Sequence, residues 1–219
     1  MRVFVYFSDT TRQNDPEWYM PLLQTLPASM QAGIRAYESS GQVSLRVLGK
    51  TLLRHALQQQ FPGSSLDDYR HTPPKAPFIE VSTAQFSISH SEQLVACAIA
   101  DGMPVGLDVE RIHPIELPLM QAYFDAINWE QIMQAPDPAA CFYRYWTMKE
   151  ATLKAAGLGL HETALEQCHI RGEEVVLGAR IYQTQSITLE TGYIASLAAV
   201  VPVEVEMIPV PIAALMDTF

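Results

Sequence analysis

Asp108 and Glu110 stand two apart in VGLDVE, and Glu150 and Lys154 stand four apart in WTMKEATLK. In a strand, residues i and i+2 project on one face, so the first pair offers two carboxylates side by side. Such a pair repels itself and calls for positive charge above it. A hard divalent cation suits it, because Mg²⁺ takes one or two carboxylates and completes its shell with phosphate oxygens and water. An acidic outer face on an edge strand has the same spacing, so D-x-E alone does not separate the two. Ser89-His90 closes a run of alternating residues at the mouth of a turn. A histidine there could hold a phosphate or serve as a base; a solvated turn histidine is the bland alternative. His55, His71, His113, His161 and His169 show no metal or triad spacing. Ser89 and Ser91 lack the G-x-S-x-G elbow, and neither a P-loop nor G-x-G-x-x-G occurs.

Glu150 lies within residues 142–160, FYRYWTMKEATLKAAGLGL, which read as one helix. At about 100° per residue, Phe142, Trp146 and Leu153 form one stripe. Met148, Ala151 and Ala155 line the opposite side, and Glu150 falls at the stripe's edge beside Tyr143. A helix apolar on two sides is buried on both, and a carboxylate there is costly unless a cation meets it. Lys149 and Lys154 flank the acid, and Gly157 with Gly159 end the helix. The competing reading is a solvated Glu150–Lys154 pair at i, i+4, worth about 0.2–0.5 kcal/mol.

Other elements must bring these residues together. Residues 41–60 are helical, with Leu45, Leu48, Leu52 and Ala56 on one stripe and Arg46 at its rim. Residues 71–77, HTPPKAP, form a Pro-rich loop around Lys75. A first strand covers residues 2–7. A meander follows at 86–89, 94–100 and 105–110, with turns at HSEQ and DGMP. Residues 117–133 read as helix broken near Asn128. Strands are expected at 168–170, 175–182, 186–191, 193–200 and 203–209. LVACAIADGMPVGLDVE and YIASLAAVVPVEVEMIPV echo one another, and each half has a long helix ahead of its strands. Two α+β lobes joined near residues 101–104 or just beyond would account for that, and a single mixed α+β domain is the alternative.

The 219 residues are 48% hydrophobic and 17% charged, a globular composition. A formal net charge of -10 opposes bulk attraction to nucleic acid or anionic lipid, so any anionic ligand needs locally gathered cations. Cys97, Cys141 and Cys168 lie far apart without CxxC spacing, against a disulfide framework or zinc site. They read as buried thiols in a reducing compartment. MRVFVYFSD is too short for a signal peptide, and no apolar run reaches membrane-spanning length. The expected location is cytoplasmic.

Arg46, Lys75, Ser89-His90, the D-V-E strand and the W-T-M-K-E-A-T-L-K helix form an ordered series. FSISHSEQLVACAIA, VGLDVE and WTMKEATLK resemble the 4′-phosphopantetheinyl transferases of the Sfp type. That family carries a serine-histidine pair, G-(I/V/L)-D-(I/V)-E on a strand, and W-x-x-K-E-(A/S)-x-x-K on a later helix. The resemblance spans nearly the whole chain and implies an α+β fold. Two similar α/β lobes would form an intramolecular pseudo-dimer, with antiparallel sheets and one long helix each. Residues 1–104 would hold the coenzyme A 3′-phosphate side. Residues 105–219 would hold metal and carrier, docking the latter along about 157–188.

By the same resemblance, Asp108, Glu110 and Glu150 would ligate Mg²⁺. Arg46, Lys75, Ser89 and His90 would hold the 3′-phosphate and adenine end of coenzyme A, with Asp108, Lys149 and Lys154 near the pyrophosphate. Glu150, directly or through water, would take the proton of a carrier serine as it attacks the β-phosphorus, and Lys154 would steady or protonate the departing 3′,5′-ADP. The implied enzyme is a cytoplasmic monomer acting on coenzyme A and an apo acyl or peptidyl carrier protein, with no nucleic-acid or membrane partner. A coenzyme A-binding module without transfer, or a Mg²⁺-dependent phosphohydrolase, would use the same residues. Two departures stand out. Basic residues that relatives carry ahead of the first long helix are replaced by Met30 and Gly33, with Arg35 nearby, and the family's G-K-P loop appears as P-K-A-P.

Overall fold

The computed structural model describes residues 1–13, 15, 17–36, 40–72, 76–159 and 162–216. β1 (Arg2–Asp9) leads into two short helices, α1 (Met20–Gln24) and α2 (Ala28–Arg35), and then the 21-residue α3 (Ser40–Gln60). A two-stranded ribbon, β2 (Tyr69–Arg70) with β3 (Phe78–Ile79), precedes the meander β4 (Ala84–Ser91), β5 (Leu94–Asp101) and β6 (Val105–Arg111). A 3₁₀ segment (Leu117–Tyr123) and α4 (Ala126–Gln134) lead to α5 (Pro138–Ala155) and α6 (Glu162–Glu166). The chain closes with β7 (Cys168–Arg171), β8 (Glu174–Leu177), β9 (Arg180–Ile187), β10 (Tyr193–Ala199), β11 (Glu204–Pro209) and α7 (Ile212–Met216).

The main strands form two sheets, ordered β11-β1-β5-β4 and β6-β10-β9-β8-β7. All pairs are antiparallel except β1 with β11. The period of two on β5 explains the layering. Val95, Cys97 and Ile99 meet Leu48, Leu52 and Ala56 of α3, while Leu94, Ala96, Ala98 and Ala100 face Leu107, Val109, Ala195 and Leu197 of the second sheet. Because both its faces are covered, β5 is an almost continuous apolar run. Beyond the second sheet lies α5, with Ala151 and Ala155 against Tyr182 and Ala198. The order of layers is helix, sheet, sheet, helix, with one long helix on each sheet as expected.

The boundaries follow local chemistry. Asp137 caps α5 by accepting from the Ala140 amide, and Pro138 sits at the first turn. The helix ends at Ala155, five residues before the sequence-based limit. Gly157 takes φ +72°, its amide bonds the Lys154 carbonyl, and that of Leu158 bonds Leu153, a Schellman closure. The break expected near Asn128 lies at residues 124–125, where Asp125 caps α4 through the Asn128 amide. The strand expected at 175–182 is two strands, because Gly178 at φ +61° turns the chain.

The expected division at residue 104 is crossed by the chain's end. β11 lies parallel on β1, pairing Arg2 with Glu204 through Phe7 with Pro209. Ile212 and Leu215 of α7 join the core under α1 and α3. The last strand and helix therefore complete the N-terminal layer.

Candidate active site

β4 is the element from which the site is built. Adjacent residues on a strand face opposite ways. Phe86, Ile88 and His90 point toward α3, while Ser87, Ser89 and Ser91 point toward β6. β4 and β6 are not strand partners. Instead the three serine hydroxyls accept the amides of Leu107 (2.9 Å), Val109 (3.3 Å) and Arg111 (3.0 Å). This ladder joins the two sheets and satisfies amides that β10 leaves open.

β6 and α5 come together because of Gly106. A Cβ there would lie 1.8 Å from the Ala151 carbonyl oxygen. That contact sets Asp108 and Glu110 beneath Glu150, and one carboxylate oxygen from each lies within 4.8 Å of the others. Asp108 is 1% exposed. Its Oδ1 accepts from Ser89 Oγ at 2.8 Å and Lys154 Nζ at 2.6 Å, whereas its buried Oδ2 has no hydrogen-bond partner among the described residues. Glu110 Oε2 accepts from Ser91 Oγ at 2.8 Å. Burial, with Asp108 next in effect, pushes the Glu150 carboxyl up to about 8. Burial and Asp108 also raise Glu110. Three crowded carboxylates, two resisting ionisation, and an orphaned buried oxygen are what a divalent cation relieves. The donor set is all carboxylate, which suits a hard ion.

The solvated Glu150–Lys154 pair is not what forms. Lys154 turns to Asp108 and Ser89 (3.1 Å) and reaches the mouth of a cleft of about 1040 Å³. The cleft lies between α2, α3, β4 and the end of α5. Arg46 and His90 both line it. Burial, then Arg46 and Lys154, lower the His90 pKa. Ser89 lies one residue away but on the opposite face, against Asp108 instead of against the cleft wall. Met30 and Gly33 do line the cleft, without charge. Lys75 lies outside the described residues.

Lys149 departs from expectation. It is 1% exposed, and its Nζ donates to the carbonyls of Tyr123 and Leu165 and sits 4.7 Å from the Phe124 ring centroid. That ammonium ties the 3₁₀ segment and α6 to α5 and is turned away from the carboxylates. Neighbouring helix residues differ by about 100°, which separates Lys149 from Glu150. Conversely, Lys50 was missed. One helical turn after Arg46, it is half-buried in the wall of the same cleft, with Nζ 2.7 Å from Tyr69 Oη and 4.0 Å from that ring's centroid. The i, i+4 spacing from Arg46 was the available signal.

The family profile described as 4′-phosphopantetheinyl transferase superfamily matches residues 104–192. These include all three carboxylates and Lys154. The chain is 33% identical over 119 residues to the 4′-phosphopantetheinyl transferase gsp of Aneurinibacillus migulanus, covering 52% of this chain and 49% of that protein. Over 118 residues it is 30% identical to the 4′-phosphopantetheinyl transferase psf-1 of Bacillus pumilus, covering 52% and 50%. The match thus spans about half the length of these two relatives. It is 26% identical over 167 residues to the 4′-phosphopantetheinyl transferase Sfp of Bacillus subtilis (strain 168), covering 73% and 72%. The acidic cluster thus lies in the segment similar to the 4′-phosphopantetheinyl transferase superfamily, and the chain as a whole is similar to Sfp-type proteins of that family.

Proposed function

We propose that the protein transfers the 4′-phosphopantetheine arm of coenzyme A to a serine of an apo acyl or peptidyl carrier protein, releasing 3′,5′-ADP, with Mg²⁺ held by Asp108, Glu110 and Glu150. One observation carries this reading: Lys154 joins the three-carboxylate cluster, through Asp108, to a cleft lined by Arg46, Lys50 and Lys154, in a protein of net charge -10. Bound there, Mg²⁺ would neutralise charge on the pyrophosphate and polarise it.

The chain's own residues supply the rest. Arg46, Lys50 and His90 hold the phosphate at the nucleotide end, with Lys50 replacing charge absent at Met30 and Gly33. An ammonium has three donors. Asp108 and Ser89 take two of those of Lys154, and the third serves a phosphate oxygen and then the departing 3′,5′-ADP. Glu150 accepts the serine proton directly or through water. Most of the acceleration is positioning and charge neutralisation. The three cysteines are unpaired, as in a reducing compartment, and among the described residues no helix is long and apolar enough to cross a membrane. A cytoplasmic monomer fits this reading.

Intact-mass spectrometry of an apo carrier incubated with coenzyme A and Mg²⁺ tests the proposal. The expected result is a mass gain of one phosphopantetheine arm, abolished by EDTA and reduced at least about a hundredfold by E150Q. Free phosphopantetheine produced without carrier would replace transferase by phosphohydrolase. Coenzyme A binding with neither product would leave a binding module. A panel of acyl and peptidyl carriers identifies the acceptor class.

A further inference from the structure

The serine ladder contains two kinds of rung. Ser87 Oγ accepts the Leu107 amide and contacts no carboxylate. Ser91 Oγ accepts the Arg111 amide at 3.0 Å and donates to Glu110 Oε2 at 2.8 Å. A hydroxyl carries one proton and two lone pairs. With a lone pair engaged by the Arg111 amide, the Ser91 proton is directed at Glu110. Ser91 is the last residue of β4, held by its pairing with Leu94, so it is a rigid donor.

We infer that Ser91 is a positioning residue for the metal centre: its hydroxyl holds one oxygen of Glu110 and turns the other toward the position shared with Asp108 and Glu150. Through the same strand, Ser89 orients Asp108 Oδ1 and leaves Oδ2 for the ion. β4 thus makes the first half of the chain set the ligand geometry of the second. This inference rests on the metal site in the proposed function. Groups that orient metal ligands typically contribute about 10–100-fold to metal affinity or activity.

The test is Mn²⁺ affinity, read by electron paramagnetic resonance of the free ion with no coenzyme A or carrier present. Thermal unfolding of the metal-free protein is measured alongside. S91A is expected to weaken Mn²⁺ binding about tenfold or more, and S91T, which keeps the hydroxyl, to restore it. S87A removes an equivalent rung and is expected to lower the metal-free melting temperature while leaving Mn²⁺ affinity within about twofold, since its rung touches no ligand. If S91A does not fold, S91C fills the space with a weaker donor and makes the same comparison. Wild-type affinity in S91A, or equal losses in S87A and S91A, would overturn the role of Ser91 while leaving the metal site standing. A wild-type protein that binds no Mn²⁺ would overturn both.

Discussion

Among single residues, Lys50 has the clearest pH signature. Burial is the chief cause of its low pKa, about 8 against an ordinary 10.5, with Cys97 acting upward and Arg46 downward. Below pH 8 both folded and unfolded chains carry the charge. Between about 8 and 10.5 the folded chain sheds a proton that the unfolded chain keeps. Relative to K50M, wild-type stability should therefore rise with pH across that window, as urea unfolding would show. Anion binding has the opposite dependence, because only the ammonium attracts phosphate. Affinity for 3′,5′-ADP, measured by calorimetry, should fall several-fold from pH 7 to pH 9.5. K50R keeps its charge throughout and should show no such fall; an identical fall in K50R would remove Lys50 from the binding account. Lys149 teaches the converse. Its neighbours along the chain are those of an active-site lysine, but its three-dimensional partners are two carbonyls and a phenylalanine ring.

At the level of elements, the crossing of β6 and α5 decides whether a site exists at all. The Gly106 contact with the Ala151 carbonyl leaves no room for a methyl group. Both partners are backbone, so neither can move aside as a side chain would. G106A should destabilise the protein by at least about 3 kcal/mol in denaturant unfolding, the upper end for overpacking, and should weaken Mn²⁺ binding by moving Glu150 away from Asp108. A G106A protein with wild-type stability would mean the crossing is loose. D-V-E and K-E-A-x-x-K spacing showed which faces the acids occupy, but the glycine between strand and helix has meaning only once the two are seen in contact. The serine ladder was hidden for a similar reason. F-S-I-S-H-S reads as ordinary alternation, and its hydroxyls gain their role from a strand 20 residues away that β4 never pairs with.

For the molecule as a whole, the return of the C-terminus onto β1 is the main organising feature. β11 covers an edge that would otherwise expose unpaired backbone, and α7 closes the core beneath α1 and α3. Deleting residues 203–219 should damage the N-terminal layer, far away in sequence. The expected result is loss of a cooperative thermal transition and binding of a hydrophobic dye, with the cleft lost as well. A truncated chain that melts cooperatively and still binds 3′,5′-ADP would show that the first sheet stands without its fourth strand.

By itself the sequence determined the composition of the site: three acids on a strand and a helix, Lys154 beside them, Arg46 and His90 ahead of them, and the long helices that carry them. Local periodicity set the helices, the strand and the face each residue occupies; that these residues make one site was implied by the resemblance of the ordered motifs to the transferase family. Only the tertiary structure decided the partners. It assigned Lys154 to Asp108 and not to Glu150, sent Lys149 into a structural role, added Lys50 to the cleft, and wove the last strand into the first sheet. The physical reason is that a charged or hydroxyl group finds its lowest energy with whichever donor or acceptor is nearest in space, and across layers of sheet and helix that neighbour is set by packing.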